Sequence, residues 1–212
     1  MKYIVIPVTP YQQNCSLIWC ETTLQAALVD PGGEPERLLA AVEHHGLTLK
    51  RVLLTHGHLD HVGAAGELSS RLGIPVEGPH EDDAFLLESL PLQSVKFGFP
   101  HTDPFLPQRW LKEGDTVSVG NLSMEVIHCP GHTPGHIVFY QPEARLAFVG
   151  DVLFRGSIGR SDFERGDYHA LINSIRDKLW PLGDDVAFVP GHGPMSSFGR
   201  ERQTNPFVGD DA

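Results

Sequence analysis

Four short apolar segments of this chain run into histidine or aspartate, and this pattern limits the folds that the chain can adopt. RVLLT (51–55) leads directly into HGHLDH (56–61), and MEVIH (124–128) is followed closely by His132. LAFVG (146–150) leads into Asp151, and VAFVPG (186–191) leads into His192. Because open α/β sheets place their sites just beyond the carboxyl ends of strands, we expect these side chains to meet in one cleft.

The strand ends carry more potential metal ligands than a single ion can bind. A zinc ion takes about four ligands, and a catalytic zinc takes only about three from the protein. Two ions that share one bridging carboxylate would use every donor. We therefore predict two divalent metal ions, with zinc the expected metal and iron or manganese also suited to imidazole and carboxylate ligands. The predicted metal ligands are His56, His58, Asp60, His61, His132, Asp151 and His192.

The spacing of the donors divides them between the two ions. His56 and His58 share a face where the chain is still extended, whereas Asp60 and His61 lie at the start of a predicted helix and point elsewhere. The predicted arrangement has one ion on His56, His58 and His132, a second ion on Asp60, His61 and His192, and Asp151 as the bridge. Two nearby histidines, His128 and His136, are candidates for fixing a ligand by hydrogen bonding.

Strands arrive in runs separated by helices, which predicts an α/β fold with mixed sheets flanked by helices. Apolar periodicity predicts helices over 34–46, 60–72 and 167–180, and EDDAFLLESL (81–90) also has a helical pattern. Residues 91–110 are rich in proline and phenylalanine without a clear period, and their role as lid, interface or core stays open. At this length we expect residues 1–212 to form a single domain.

The composition of the chain limits the classes of partner that we expect it to bind. The formal net charge of −11, with no basic block, disfavours nucleic-acid binding. No apolar stretch is long enough for a membrane span, and the first residues show no signal-peptide pattern. Three well-spread cysteines argue against a disulfide framework. We therefore expect a cytoplasmic protein with a small-molecule substrate and no membrane partner.

The motifs THGHLDHVG (55–63), PGHTPGH (130–136), FVGD (148–151) and PGHG (190–193) together resemble the metallo-β-lactamase superfamily. The resemblance implies a four-layer αββα sandwich of two mixed sheets flanked by helices, with a binuclear metal site at one edge. It also implies the division of ligands described above. Asp151 stands where zinc β-lactamases of the commonest type have cysteine, which disfavours β-lactamase activity.

The segment GDVLFRGSIGRSDF (150–163) resembles the glyoxalase II branch of this superfamily, and in particular its short single-domain bacterial members. That branch hydrolyses S-2-hydroxyacylglutathione thioesters, such as S-D-lactoylglutathione, to glutathione and a 2-hydroxy acid. The implied function is a metal-dependent thioesterase, a hydroxyacylglutathione hydrolase in which a metal-bridging hydroxide attacks the carbonyl. Asp60 would be a metal ligand that also accepts a hydrogen bond from the nucleophilic water.

The substrate-binding residues depart from the glyoxalase II pattern. The family's basic residue after GD corresponds to Arg160, but the tyrosine two positions later corresponds to Asp162. Little sequence follows PGHG, so we expect no separate C-terminal helical domain of the kind that holds glutathione in typical members. Arg160 and Arg155 are the candidates for binding a carboxylate of the thiol carrier.

Three alternative functions remain compatible with the sequence. Residues 159–163, GRSDF, also resemble persulfide dioxygenases, whose single iron would be held by His56, His132 and Asp151. Ile158 stands where those enzymes usually have cysteine. A phosphodiesterase of the same superfamily would use the same seven ligands, but the acidic chain lacks a basic insertion for gripping RNA. A non-catalytic metal-binding protein is the third alternative.

Overall fold

The computed structural model describes all 212 residues, and its first sheet holds five strands in the order β1-β2-β3-β4-β5. The neighbours among β1, β2 and β3 are antiparallel, whereas β3, β4 and β5 run parallel. The strands are β1 (Lys2–Val8), β2 (Gln13–Trp19), β3 (Gln25–Val29), β4 (Thr48–Leu53) and β5 (Val76–Glu77).

The second sheet holds six strands in the order β13-β12-β9-β8-β7-β6. Only the β9–β12 pair is parallel, so this sheet is mixed as well. A separate two-stranded hairpin follows β9. The strands are β6 (Thr116–Val119), β7 (Leu122–His128), β8 (Ile137–Gln141), β9 (Leu146–Gly150), β12 (Ala187–Pro190) and β13 (Ser196–Ser197), with the hairpin strands β10 (Leu153–Phe154) and β11 (Ser157–Ile158).

The chain also forms seven α-helices, two 3₁₀ segments and one π-helical segment. The 3₁₀ segments are Glu81–Asp83 and Trp180–Leu182, and a π-helical segment covers Ser174–Leu179. The α-helices are α1 (Pro35–His44), α2 (Leu59–Val62), α3 (Ala65–Leu72), α4 (Ala84–Glu88), α5 (Leu90–Phe97), α6 (Tyr168–Asn173) and α7 (Phe198–Thr204). No helix has the length and apolar character that crossing a bilayer requires.

Three apolar cores separate the layers. The largest includes Leu38 of α1 and Leu68 of α3, packed against the outer face of the first sheet. Another includes Leu171 of α6 and Phe198 of α7, packed against the outer face of the second sheet. The third lies between the two sheets and includes the fully buried Phe139. Helix, sheet, sheet and helix therefore stack in the four layers of the predicted αββα sandwich.

The helix predicted over residues 60–72 is divided in the structure. Helix α2 ends at Val62 and α3 begins at Ala65. Gly63 lies directly against the carbonyl oxygen of Gly32, which a Cβ atom at Gly63 would meet at 2.5 Å. The amide of Ala64 donates to the carbonyl of Pro31 over 3.0 Å, so a bond to the neighbouring loop interrupts the helix, and apolar periodicity contains no information about that contact.

Residues 90–97 form helix α5, although the sequence showed no helical period there. Pro91 lies in its first turn, where proline is tolerated, and Gly98 ends it with a φ of +71°. Its apolar residues Leu92 and Val95 are exposed to solvent, with 75% and 84% of their surfaces accessible. The apolar positions therefore do not mark a buried stripe, which is why periodicity failed to identify this helix.

Candidate metal centre

The seven predicted metal ligands meet at one edge of the sandwich. His56, His58, Asp60 and His61 follow strand β4 of the first sheet. The remaining three follow strands of the second sheet, and they are His132 after β7, Asp151 after β9 and His192 after β12. The side chains form two groups of potential ligands, His56–His58–His132 and Asp60–His61–His192, each with its ligand atoms within 4.8 Å of one another.

The first group consists of three converging imidazoles. Nδ1 of His58 lies 3.1 Å from Nε2 of His56 and 3.0 Å from Nε2 of His132. Burial lowers the pKa of His56 well below its usual value and lowers the pKa of His58 to about 3, and neighbouring imidazoles add to both effects. The rings are therefore neutral at physiological pH, with lone pairs available to a cation.

The second group combines imidazole and carboxylate. Nε2 of His192 lies 3.2 Å from Oδ2 of Asp60, and Nε2 of His61 lies 4.0 Å from the same oxygen. Burial lowers the pKa of His61, but the carboxylates of Asp151 and Asp60 outweigh it and raise this pKa well above its usual value. The two carboxylates thus favour a positive charge at the His61 ring. A divalent cation that replaces the ring proton would supply that charge.

Asp151 lies between the two groups. Its Oδ1 is 3.3 Å from Nε2 of His61, and its Oδ2 is 3.6 Å from Nε2 of His132 and 3.7 Å from Nε2 of His192. The same carboxylate therefore faces one imidazole of the first group and two of the second. This is the location that a bridging ligand requires.

Two buried polar atoms of the centre suit coordination to a cation. Nε2 of His61 and Oδ1 of Asp151 lie 3.3 Å apart, and neither atom makes a hydrogen bond. An unpaired buried polar group costs about 1–3 kcal/mol, and a metal ion would satisfy both atoms. A Cβ at Gly191 would collide with Oδ1 of Asp151, so glycine keeps this space open. The His and Asp groups together suit a dinuclear metal site.

Hydrogen bonds orient the ring of His61, a contact that the sequence reasoning missed. Nδ1 of His61 donates to Oδ2 of Asp30 over 2.9 Å, which directs Nε2 into the centre. Thr55 donates to the same carboxylate through both its amide and its hydroxyl, and Oγ1 of Thr55 also lies 3.1 Å from Nδ1 of His56. The only sequence signal for Asp30 was its position at the end of β3, before a Pro-Gly-Gly turn.

Backbone carbonyls orient two further rings. Nδ1 of His132 donates to the carbonyl of Arg160 over 2.7 Å, and Nδ1 of His192 donates to the carbonyl of Tyr11 over 3.1 Å. In both rings Nδ1 carries the proton, so the lone pair of Nε2 is free to coordinate a metal. Such backbone partners have no side-chain signature in a sequence.

The two accessory histidines differ in their roles. The amide of Asp151 donates to Nε2 of His136 over 3.0 Å, and the His136 ring stacks on His56 at a centroid distance of 4.6 Å. His128 instead hydrogen-bonds the carbonyl of Pro134. The prediction of a supporting contact therefore agrees with the structure for His136, whereas His128 contacts none of the seven ligands by hydrogen bonding.

A cavity of about 630 Å³ opens above the metal-ligand groups. Its wall includes His58, Asp60 and Asp151, so a bound molecule can reach both groups. A volume in this range is typical of sites for small ligands. Aromatic side chains line much of the remaining wall, and they are Tyr11, Phe97, Phe99, Phe154 and Phe163. Residues 91–110 thus contribute two phenylalanines to the cavity.

The two arginines proposed for substrate binding both line this cavity, but they differ in charge balance. The guanidinium of Arg160 makes two hydrogen bonds of 2.9 and 2.8 Å to the carboxylate of Asp162 and lies over the ring of Phe163. Arg155, at the turn of the β10–β11 hairpin, makes no ion pair. Arg155 is therefore the cation of this wall whose charge is not balanced by an intramolecular carboxylate.

Comparison with known proteins agrees with this architecture. Residues 8–192 match the family model of the metallo-β-lactamase superfamily. The chain is 53% identical to the hydroxyacylglutathione hydrolase GloC of Haemophilus influenzae, over 98% of each chain. Among solved structures, TTHA1623 in a di-iron-bound form has a TM-score of 0.88 at 41% identity and covers 97% of this chain and 100% of its own. The BLEG-1 B3 metallo-β-lactamase has a TM-score of 0.90 at 34% identity, covering 98% of this chain and 99% of its own. On its sequence motifs, its four layers and these matches, the chain belongs to the metallo-β-lactamase superfamily.

Proposed function

We propose that this protein is a metal-dependent thioesterase that hydrolyses S-2-hydroxyacylglutathione, such as S-D-lactoylglutathione, to glutathione and a 2-hydroxy acid. The observation that carries this proposal is the pair of His and Asp groups that share Asp151 at the wall of a substrate-sized cavity. The full-length similarity to a hydroxyacylglutathione hydrolase supports the choice of substrate.

We propose that His56, His58 and His132 hold one divalent ion, that Asp60, His61 and His192 hold the other, and that Asp151 bridges them. Zinc is the metal we propose, and iron is the alternative, in keeping with the di-iron-bound relative. When bound, the ions would polarise the substrate carbonyl and bring the pKa of water to about 7.

The residues around the cavity suit a thioester better than an amide. A thiol with a pKa of about 8.5 leaves as thiolate without a general acid, whereas an amide nitrogen must be protonated as it leaves. Five of the thirteen wall residues that are not proposed ligands are aromatic, and their rings can exclude water from the reacting bond. Asp60 faces the cavity, where its carboxylate can accept a hydrogen bond from the attacking water and orient it.

Two further proposals concern the number of domains and the class of molecule that the protein binds. The 212 residues would form one hydrolase domain, whose cavity wall would hold the substrate. The substrate would be a small glutathione-linked molecule, and the overall acidity of the chain makes nucleic acid a poor partner.

The proposed function is tested by loading the protein with zinc and following thiol release from S-D-lactoylglutathione. We expect multiple turnovers per protein molecule. A parallel assay with iron-loaded protein measures oxygen uptake with glutathione persulfide, and a third uses a phosphodiester. Oxygen uptake or phosphodiester cleavage without thioester hydrolysis would overturn the proposal in favour of the corresponding alternative.

Arg155→Ala should weaken binding of the glutathione-linked substrate more than Arg160→Ala. Arg155 has no competing carboxylate, whereas Arg160 is already paired with Asp162. We expect the KM for S-D-lactoylglutathione to rise about 3- to 5-fold in Arg155→Ala, since exposed ion pairs are weak. The expected change in kcat is small, because Arg155 is not one of the proposed metal ligands.

The matched control for this comparison is Arg200→Ala, which removes an exposed arginine of α7 that does not line the cavity. Its KM should equal that of the unmodified protein. A larger KM effect in Arg160→Ala than in Arg155→Ala would show that the Arg160–Asp162 pair opens for the substrate, and that our assignment is wrong.

A further inference from the structure

Two polar side chains from the helical segment 81–97 point inward toward the metal-ligand loops. This segment comprises the 3₁₀ turn Glu81–Asp83 and helices α4 and α5. Asp83 has no solvent-accessible surface and Gln93 is 8% exposed, although both belong to residue types that are usually exposed. Neither side chain belongs to the seven proposed metal ligands, so their burial requires another explanation.

Asp83 joins two loops that carry proposed ligands. Its Oδ2 accepts hydrogen bonds from the amide of Gly57 over 2.9 Å and from the hydroxyl of Thr133 over 2.8 Å. Its Oδ1 accepts one from the amide of Gly135 over 2.6 Å. Gly57 lies between His56 and His58, and Thr133 follows His132. One buried carboxylate therefore ties together the loops that supply all three imidazoles of the first group.

Gln93 holds the chain on the other side of His58. Its Oε1 accepts a hydrogen bond from the amide of Leu59 over 3.0 Å, and its Nε2 donates to the carbonyl of Leu86 over 2.9 Å. The amides directly before and after His58 thus bond to side chains of the same helical segment. Such contacts fix where the His58 ring points, because the backbone on both sides of it is held.

The second group depends on different partners. His61 is oriented by Asp30, and His192 by the carbonyl of Tyr11. The hydrogen bonds of Asp83 end at Gly57, Thr133 and Gly135, none of which adjoins a ligand of the second group, whereas Gln93 also holds Leu59, next to Asp60. A perturbation of Asp83 should therefore act on one group and spare the other.

We propose that Asp83 is a positioning residue for the His56–His58–His132 group and selectively sets the metal affinity of that group. This inference rests on the metal-site part of the proposed function, and it does not depend on the substrate. A protein that binds two ions but does not hydrolyse thioesters would refute the proposed activity and leave the role of Asp83 open to the same measurement.

The test is a zinc titration of metal-free protein against a competing chelator, which resolves the two binding steps. His58→Ala and His192→Ala identify which step belongs to which group, because each removes one proposed ligand. Asp83→Asn should weaken the step that is lost in His58→Ala by about 10- to 100-fold, a range typical of residues that support metal ligands. The step that is lost in His192→Ala should keep its affinity.

Glu81→Gln is the matched control, because it neutralises another acid of the same 3₁₀ turn, at an exposed position without an ion pair. It should leave both steps unchanged. If Asp83→Asn fails to fold, Thr133→Val tests the same idea, since it removes one of the three hydrogen bonds with little change in shape. A smaller weakening of the same step, about 3- to 10-fold, is expected there. Equal weakening of both steps, or no weakening in a folded variant, would overturn the proposal.

Discussion

Asp151→Asn is expected to lower kcat/KM for the thioester about 10³-fold and to reduce the metal content of the protein. Asp151 faces both groups of proposed ligands, at 3.3–3.7 Å from imidazole nitrogens of each. Asparagine keeps the shape but loses the negative charge and one anionic oxygen. Metal ions contribute several kcal/mol of transition-state stabilisation, and a loss of about 4 kcal/mol corresponds to about three powers of ten in rate.

Two measurements check this prediction, namely steady-state thiol release and metal content after dialysis at a fixed free zinc concentration. Asp177→Asn is the control, since Asp177 is an exposed aspartate of the π-helical segment without an ion pair. It should retain full activity and both ions. If Asp151→Asn kept two ions and activity within about tenfold of the unmodified protein, Asp151 would not be the bridge.

Removing the metal with a chelator is expected to lower the Tm of the protein by roughly 15–30 °C. An ion present at 1,000 times its Kd stabilises the folded state by about 4 kcal/mol, so two ions contribute about 8 kcal/mol. For a chain of this length, 1 kcal/mol changes the Tm by about 2–4 °C. Asp60, Asp151 and the neutral imidazoles would otherwise remain buried without the cation that they suit.

The measurement is thermal unfolding followed by circular dichroism, before and after dialysis against chelator, and again after zinc is restored. The double variant His58→Ala/His192→Ala serves as the control, because it lacks one proposed ligand of each ion and should respond little to chelator. A Tm that stays constant while both ions are removed would show that the folded state does not depend on them.

The seven candidate ligands could be located from the sequence because each follows an apolar strand, and strand ends converge in sheets of this type. The supporting carboxylates could not be located in the same way. Glu81, Asp82 and Asp83 are three consecutive acids, yet only Asp83 is buried. Its role depends on how the segment 81–97 packs over loops that are distant in sequence, and no local pattern encodes that packing.

Substrate recognition differs, because a local signal in the sequence separates the two candidate arginines. The similarity to glyoxalase II indicated Arg160 as the cation for the substrate carboxylate. Asp162 lies only two residues later, and in the structure it binds the guanidinium of Arg160 through both oxygens. Arg155, in the turn of the β10–β11 hairpin, makes no ion pair, so its guanidinium is available to the substrate.

The distribution of the ligands between the two sheets has a mechanical consequence. Each group takes residues from the loops of both sheets, with His132 joining His56 and His58, and His192 joining Asp60 and His61. Two bound ions would therefore act as cross-links that hold the first sheet and its loops to the second. Neither half could swing open without breaking metal–ligand bonds, so the sheets would separate in a single cooperative event and the cavity between their loops would keep a fixed width.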